Sequence, residues 1–224
     1  MSILDSQRAE FLTSVITDVA HELRNVLAIV METVGLVDDL MTLSHPNSLD
    51  REKIKSLASR VGPQADRAAE LAAVLHQLVQ AYQDPSPSTS LNLVTERVAV
   101  MCQRRARKKR VSVQVTPCDQ DVQVLGEQLT VYMMIHAAME CYLELLPESS
   151  VLSIQASAVP DFASVDLAGS LQGIAVKLDP TQSAAWNTVD NAAADVGASL
   201  QAESTGRSLR IAFASTDVEW GSRS

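Results

Sequence analysis

Rings are scarce in this 224-residue chain, with phenylalanine, tryptophan and tyrosine together making up 4% of it. That scarcity excludes a core of stacked aromatics. With 46% of residues apolar, the interior has to be aliphatic and alanine-rich, which suits packed helices. Cysteine is scarcer still. Cys102, Cys118 and Cys141 are odd in number and not spaced as metal-ligand pairs, so no metal site is expected. Thiols so few and unpaired fit a reducing compartment. No apolar run approaches the ~18 residues of a membrane span. The first residues also lack the basic-then-apolar pattern of a signal segment. Positive charge is in deficit: the net charge is -9 and the pI about 4.9, which argues against nucleic acid as the default partner. The expectation is a cytoplasmic protein without membrane or nucleic-acid partners, long enough for two modest domains or one large one.

What is present, first, is helical periodicity. One periodic segment runs from about Asp5 to Ser44 and another from about Leu49 to Tyr82, parted by His45-Pro46-Asn47-Ser48. So short a connection makes the helices antiparallel neighbours. The seam of the second is Ile54, Leu57, Val61, Ala65, Ala68, Ala72, Leu75, Val79 and Tyr82, widened by Leu71 and Leu78. Gly62-Pro63 interrupts the backbone ladder and predicts a kink. In the first segment, at ~100° per residue, Leu12, Ile16, Val19, Leu23, Val26, Val30, Val34, Val37 and Met41 form one stripe. His21 falls opposite its centre, on a face shared with Ser14, Thr17, Arg24, Asn25, Ala28 and Glu32. Such a hairpin cannot bury both apolar faces alone. Two copies packed as a four-helix bundle would, so a homodimer is expected, with packing on the rest of the chain as the alternative.

Asp84-Pro85-Ser86-Pro87-Ser88-Thr89-Ser90 is the clearest linker. Beyond it the pattern changes to mixed helix and strand. Helices are predicted over about Leu91 to Lys108, Glu127 to Leu146 and Ala184 to Val196. Strands are predicted over Val111–Val115, Val151–Ala156, Ile174–Leu178, Ala198–Ala202 and Leu209–Phe213. The expected fold class is α+β: a helical hairpin over 1–84, a linker over 85–90, and a sandwich with helices on one face of a sheet over 91–224.

The segment His21-Glu22-Leu23-Arg24-Asn25-Val26-Leu27-Ala28 resembles the H-box of the histidine kinase dimerisation and phosphoacceptor domain, with Val26 where that family usually has proline. The resemblance implies a dimeric hairpin whose His21 carries a phosphoryl group. Free imidazole, with a pKa of ~6.5, is substantially neutral at pH 7 and offers a nucleophilic nitrogen. Glu22 is expected to hold the other ring N–H. Asn25 takes the position that orients a water in kinases with phosphatase activity. Ser14, Thr17, Arg24, Ala28 and Glu32 are the expected docking surface for a response-regulator receiver domain, which would supply the aspartate and magnesium. A zinc reading of the segment fails, because His-Glu-x-x-His needs a second histidine where Asn25 stands. His45, in the turn, and His76, off the seam, are expected on the surface.

The order of elements from Ser90 onward resembles the ATP-binding domain of histidine kinases, with Val124-Leu125-Gly126-Glu127 as the turn into the nucleotide helix. The family's two pocket asparagines then fall at Ala137 and Cys141, neither of which ligates magnesium well. A shift of register by one residue would bring His136 and Glu140 toward the pocket instead. Asp179 stands where the adenine-binding aspartate would, but Asp179-Pro180-Thr181-Gln182-Ser183 lacks the family's glycines. No glycine-rich lid follows, and the chain holds only eight glycines. The resemblance is to bacterial histidine phosphotransferases built like degenerate kinases, and it implies no nucleotide cofactor and no ATP-dependent autophosphorylation.

Six of the eighteen basic residues cluster at Arg104, Arg105, Arg107, Lys108, Lys109 and Arg110. No aromatic is interleaved, and cations at a helix C-terminus complement the dipole, so a solvated helix end is expected ahead of partner docking. Phosphotransfer through His21 is thus the leading expectation. A pseudokinase binding module and a response-regulator phosphatase using Glu22 and Asn25 are the alternatives, and an active kinase comes last.

Overall fold

The computed structural model describes residues 3–43, 50–120, 122–159, 162–202 and 206–214. The chain divides into two compact units, Ser14–Gln77 and Met1–Thr13 with Leu78–Ser224. The expected boundary lay in the linker. Both divisions between these units fall inside helices. The turn His45-Pro46-Asn47-Ser48 lies outside the described residues.

The helical unit is built on α1 (Ile3–Leu43), α2 (Arg51–Ala58) and α3 (Val61–Gln83). α1 runs unbroken for 41 residues. Val26 keeps the backbone N–H that a proline would remove, and its side chain is buried. Asp50 caps α2 by accepting from the Lys53 N–H at 3.0 Å. The expected kink is a complete break at Ser59-Arg60. Pro63 then lies in the first turn of α3, where its missing N–H has no helical partner to lose.

Glu22 of α1 meets Arg67 of α3 at 3.0 Å. From Glu22 to the end of α1 the helix rises about 30 Å, and from the start of α2 to Arg67 about 24 Å. Only a chain that doubles back brings these residues together, so the hairpin is antiparallel. Within the unit α1 buries Val15, Val19, Glu22, Val26 and Thr33, and α3 buries Leu71 and Val74. The seam expected on α3 is displaced accordingly. Ala65, Ala72, Val79 and Tyr82 are exposed, whereas Leu71 and Leu78, expected only to widen it, are buried. On α1, Ile16, Val34 and Met41 are likewise exposed. Both helices have an apolar arc wider than one neighbour can cover.

In the other unit, the expected linker contains β1 (Ser88–Ser90), whose Ser90 caps α4 (Leu91–Lys108) by accepting from the Leu93 N–H. β2 (Ser112–Thr116) and β3 (Gln123–Leu125) follow, and β1 pairs antiparallel with β3. Pairing consumes the linker's backbone groups, as when Gly126 N–H donates to Pro87 C=O at 2.9 Å. α5 (Gln128–Leu145) leads to β4 (Ser150–Val159), β5 (Phe162–Leu171) and β6 (Ile174–Ala175). The strand expected over Ile174–Leu178 shrinks to those two residues of β6. A 3-10 turn at Pro180–Gln182 precedes α6 (Trp186–Val196), β7 (Ser199–Ala202) and β8 (Ser208–Ala214).

The main sheet runs β2-β4-β5-β8-β7, with β6 beside β5. The β2–β4 pair is parallel and spans the α5 crossover; the remaining pairs are antiparallel. One face turns Leu152, Ile154, Val165, Leu167, Leu209, Ile211 and Phe213 inward. α4 and α5 cover that face, giving the helix-on-sheet layering expected. α5 is the central core element, burying fourteen of its residues.

Candidate functional site

His21 stands exposed on α1, and Ser14, Thr17, Arg24, Asn25, Ala28 and Glu32 are exposed with it. These positions fall within an arc of roughly 100° of the helix. The ring contact comes from within the helix. Arg24, three residues on, places Nη1 at 3.3 Å from His21 Nδ1. A guanidinium is donor only, so Nδ1 is the acceptor and the neutral ring carries its proton on Nε2.

Glu22 behaves otherwise than expected. Successive helix residues point ~100° apart, and Glu22 turns into the hairpin, 7% exposed, where its Oε1 accepts from Arg67 Nε. It is an anchor between helices, placed one residue from the exposed histidine. No local spacing marks Arg67 as its partner, because the two residues are 45 apart in sequence.

The residues expected at a degenerate nucleotide site lie in the other unit. Ala137 and Cys141 are buried on α5, which packs against α6. Burial pushes the Cys141 thiol pKa up, partly offset by a hydrogen bond with Ser183. Ser183 in turn donates to Glu144 Oε2 at 2.6 Å. Asp179 is exposed and caps its own 3-10 turn. Its Oδ1 accepts from the Thr181 N–H and hydroxyl at 3.1 and 2.6 Å, which hold its pKa below the ordinary value of 3.8. Its carboxylate therefore serves the turn.

Arg8 of α1 forms ion pairs with Glu127 and Asp195 and donates to Thr130 Oγ1 at 2.6 Å. Phe11 meets His136 edge-to-face with ring centroids 5.2 Å apart. These contacts fasten the first turns of α1 to α5 and α6, and no sequence spacing foretells them. Of the basic cluster, Arg105 pairs with Glu140, Arg110 with Glu148 at 3.0 Å, and Lys109 donates to the Glu144 carbonyl at 3.3 Å. The helix end is therefore solvated and locally paired. Among the described residues no helix is long and apolar enough to cross a membrane.

No protein-family model and no curated protein matches the chain. Solved structures do. The nucleotide-free catalytic domain of histidine kinase ThkA is 12% identical, with a TM-score of 0.47 over 58% of this chain and 97% of that one. Acinetobacter baumannii histidine kinase AdeS is 16% identical, with a TM-score of 0.47 over 88% and 98%. A bacterial phosphotransferase is 11% identical, with a TM-score of 0.44 over 95% and 97%.

Proposed function

We propose that this chain is a phosphotransfer protein of two-component signalling, in which His21 exchanges a phosphoryl group with the aspartate of a response-regulator receiver domain and no ATP-dependent kinase step takes place on the chain. The observation that carries the reading is the setting of His21: exposed amid an exposed face, with the Arg24 guanidinium at its ring. A ring nitrogen lone pair attacks the phosphorus of the partner's acylphosphate in line. The new N–P bond forms as the P–O bond breaks, and the partner's carboxylate leaves with the electron pair. Arg24 now holds the Nδ1 lone pair. Moving onto the phosphoryl oxygens would free that nitrogen and set positive charge against the transferred group. Glu22, fixed by Arg67, sets the rotation of α1 and so the direction in which His21 points.

The same reading makes the protein a cytoplasmic homodimer through the hairpin. Ile16, Leu27, Val34 and Met41 form the outward apolar arc of α1 that a second copy would cover.

The test is to incubate the chain with a phosphorylated receiver domain, and separately with labelled ATP and magnesium, and to map acid-labile phosphate. Label on His21 from the receiver and none from ATP is expected, and His21→Ala should remove it. Label from ATP would make the C-terminal unit a working kinase and refute the reading. Label from neither across a panel of receivers would leave a binding module as the better account.

A further inference from the structure

We infer that Cys102, His136 and Glu140 form a binding site for a divalent metal of the zinc class between α4 and α5. This site is independent of the His21 chemistry. His136 and Glu140 are one turn apart on α5 and share a face, and Cys102 reaches them from α4. One ligand atom from each lies within 4.8 Å of the other two. Tetrahedral zinc with bonds of 2.0–2.3 Å separates its ligand atoms by roughly 3.3–3.8 Å. Closure therefore asks no more than about 1.5 Å of any pair, within the reach of side-chain rotation.

The chemistry of the set is selective. A thiolate, an imidazole and one carboxylate suit zinc and cobalt, and the sulfur disfavours magnesium and calcium. Cys102 is 1% exposed and Glu140 8%, so the pocket is dry enough for charge balance to matter. Thiolate and carboxylate together carry two negative charges, which a divalent ion neutralises. Binding replaces the S–H bond with an S–metal bond and releases the proton to solvent, so affinity rises with pH. Arg105 pairs with Glu140 in the present arrangement and is the competitor. Its side chain is 58% exposed and returns to water when the metal takes the carboxylate. Phe11 packs on the His136 ring and limits its rotation. Three protein ligands leave one position for water, and the bound ion ties α4 to α5.

The full chain, stripped with a chelator, would be titrated with Co2+ and Zn2+. The expected result is one equivalent bound, a sulfur-to-cobalt charge-transfer band, and a Tm that rises with free zinc. Cys102→Ser should abolish the band, and His136→Gln should weaken binding by about tenfold or more. Cys118→Ser and Cys141→Ser should change neither. Arg105→Ala should tighten metal binding, because it removes the competitor; a merely structural Arg105–Glu140 pair predicts no such gain. Absence of the band, its survival in Cys102→Ser, or a Tm indifferent to zinc would overturn the site. If Cys102→Ser fails to fold by circular dichroism, His136→Gln and Arg105→Ala decide.

Discussion

Removing the Arg67 side chain should destabilise the hairpin by about 2–3 kcal/mol, a value between those for exposed and fully buried ion pairs. Arg67 Nε lies 3.0 Å from Glu22 Oε1, with side-chain exposures of 23% and 10%. Two unit charges at that distance attract by about 5 kcal/mol at an effective dielectric of 20. Desolvating both ends offsets much of this. Arg67 Nη2 adds to the cost, since it is buried and meets no acceptor among the described residues, a penalty of about 1–3 kcal/mol. A coupling of about 2 kcal/mol remains. Arg67→Ala should exceed it, because it also strips the methylenes that cover the seam. The assay is urea unfolding followed by circular dichroism, at low and high salt, on a double-mutant cycle of Glu22→Gln and Arg67→Met. The double variant should be more stable than additivity predicts, with only part of the coupling screened by salt. A coupling below about 0.5 kcal/mol, or one that salt erases, would make the pair a surface contact and refute Glu22 as the anchor of α1.

Gly169 of β5 faces Leu146, where an added Cβ would stand 2.5 Å from Cδ2. Gly169→Val should cost about 1–3 kcal/mol in thermal or urea unfolding, and Leu146→Ala alongside it should return part of the loss. Burial pushes the Tyr132 hydroxyl up to about 12 from 10.0. The stability its neutral form contributes is thus complete below pH 10 and is lost as pH rises toward 12, which ultraviolet titration of tyrosinate should follow. Because that hydroxyl is buried without a hydrogen-bond partner among the described residues, Tyr132→Phe should be neutral or stabilising at pH 7. The Asp179 carboxylate is held below 3.8 chiefly by Thr181. Its contribution is present above that value and lost as pH falls through the lowered pKa. Asp179→Asn should therefore lower stability slightly at pH 7 and flatten the acid limb of the profile, the two chains converging below the lowered pKa.

The elements that could be read from the chain are those whose signal is local. The span of α4 agrees residue for residue, and α5 to within one at each end, because their apolar spacing and flanking turns are strong. β5 went unread although it is the central strand. Its inward positions include Ala163 and Gly169, so alternation is muted, and it earns its place by pairing with β4 and β8 rather than by propensity. β1 is hidden in a Pro- and Ser-rich run for the same reason. The exposed face of His21 followed from periodicity alone. The fate of Glu22 did not, because whether a carboxylate turns in or out depends on Arg67, 45 residues away. Cys102 and His136 are 34 residues apart in sequence, and only the packing of α4 on α5 brings them together.

Wide apolar arcs mark both helices of the hairpin. The buried arc of α1 centres on Val15, Val19, Glu22 and Val26. The outward arc, on Ile16, Leu27, Val34 and Met41, is turned by roughly 90° from it and by roughly 140° from His21. A second copy can therefore cover the outward arc and leave the His21 face open. Leu27 is 55% exposed in the single chain, so a charge there costs the isolated hairpin little. In a twofold dimer the same residue is lost twice. At about 1.5–3 kcal/mol for each buried leucine, Leu27→Asp should weaken association by about 3–6 kcal/mol, or roughly two to four orders of magnitude in Kd. Sedimentation equilibrium should show a dimer for the parent chain and a monomer for the variant, with helical circular dichroism retained in both. A variant that remains dimeric would place the interface elsewhere, and one that loses its helices would mean that Leu27 supports the hairpin itself.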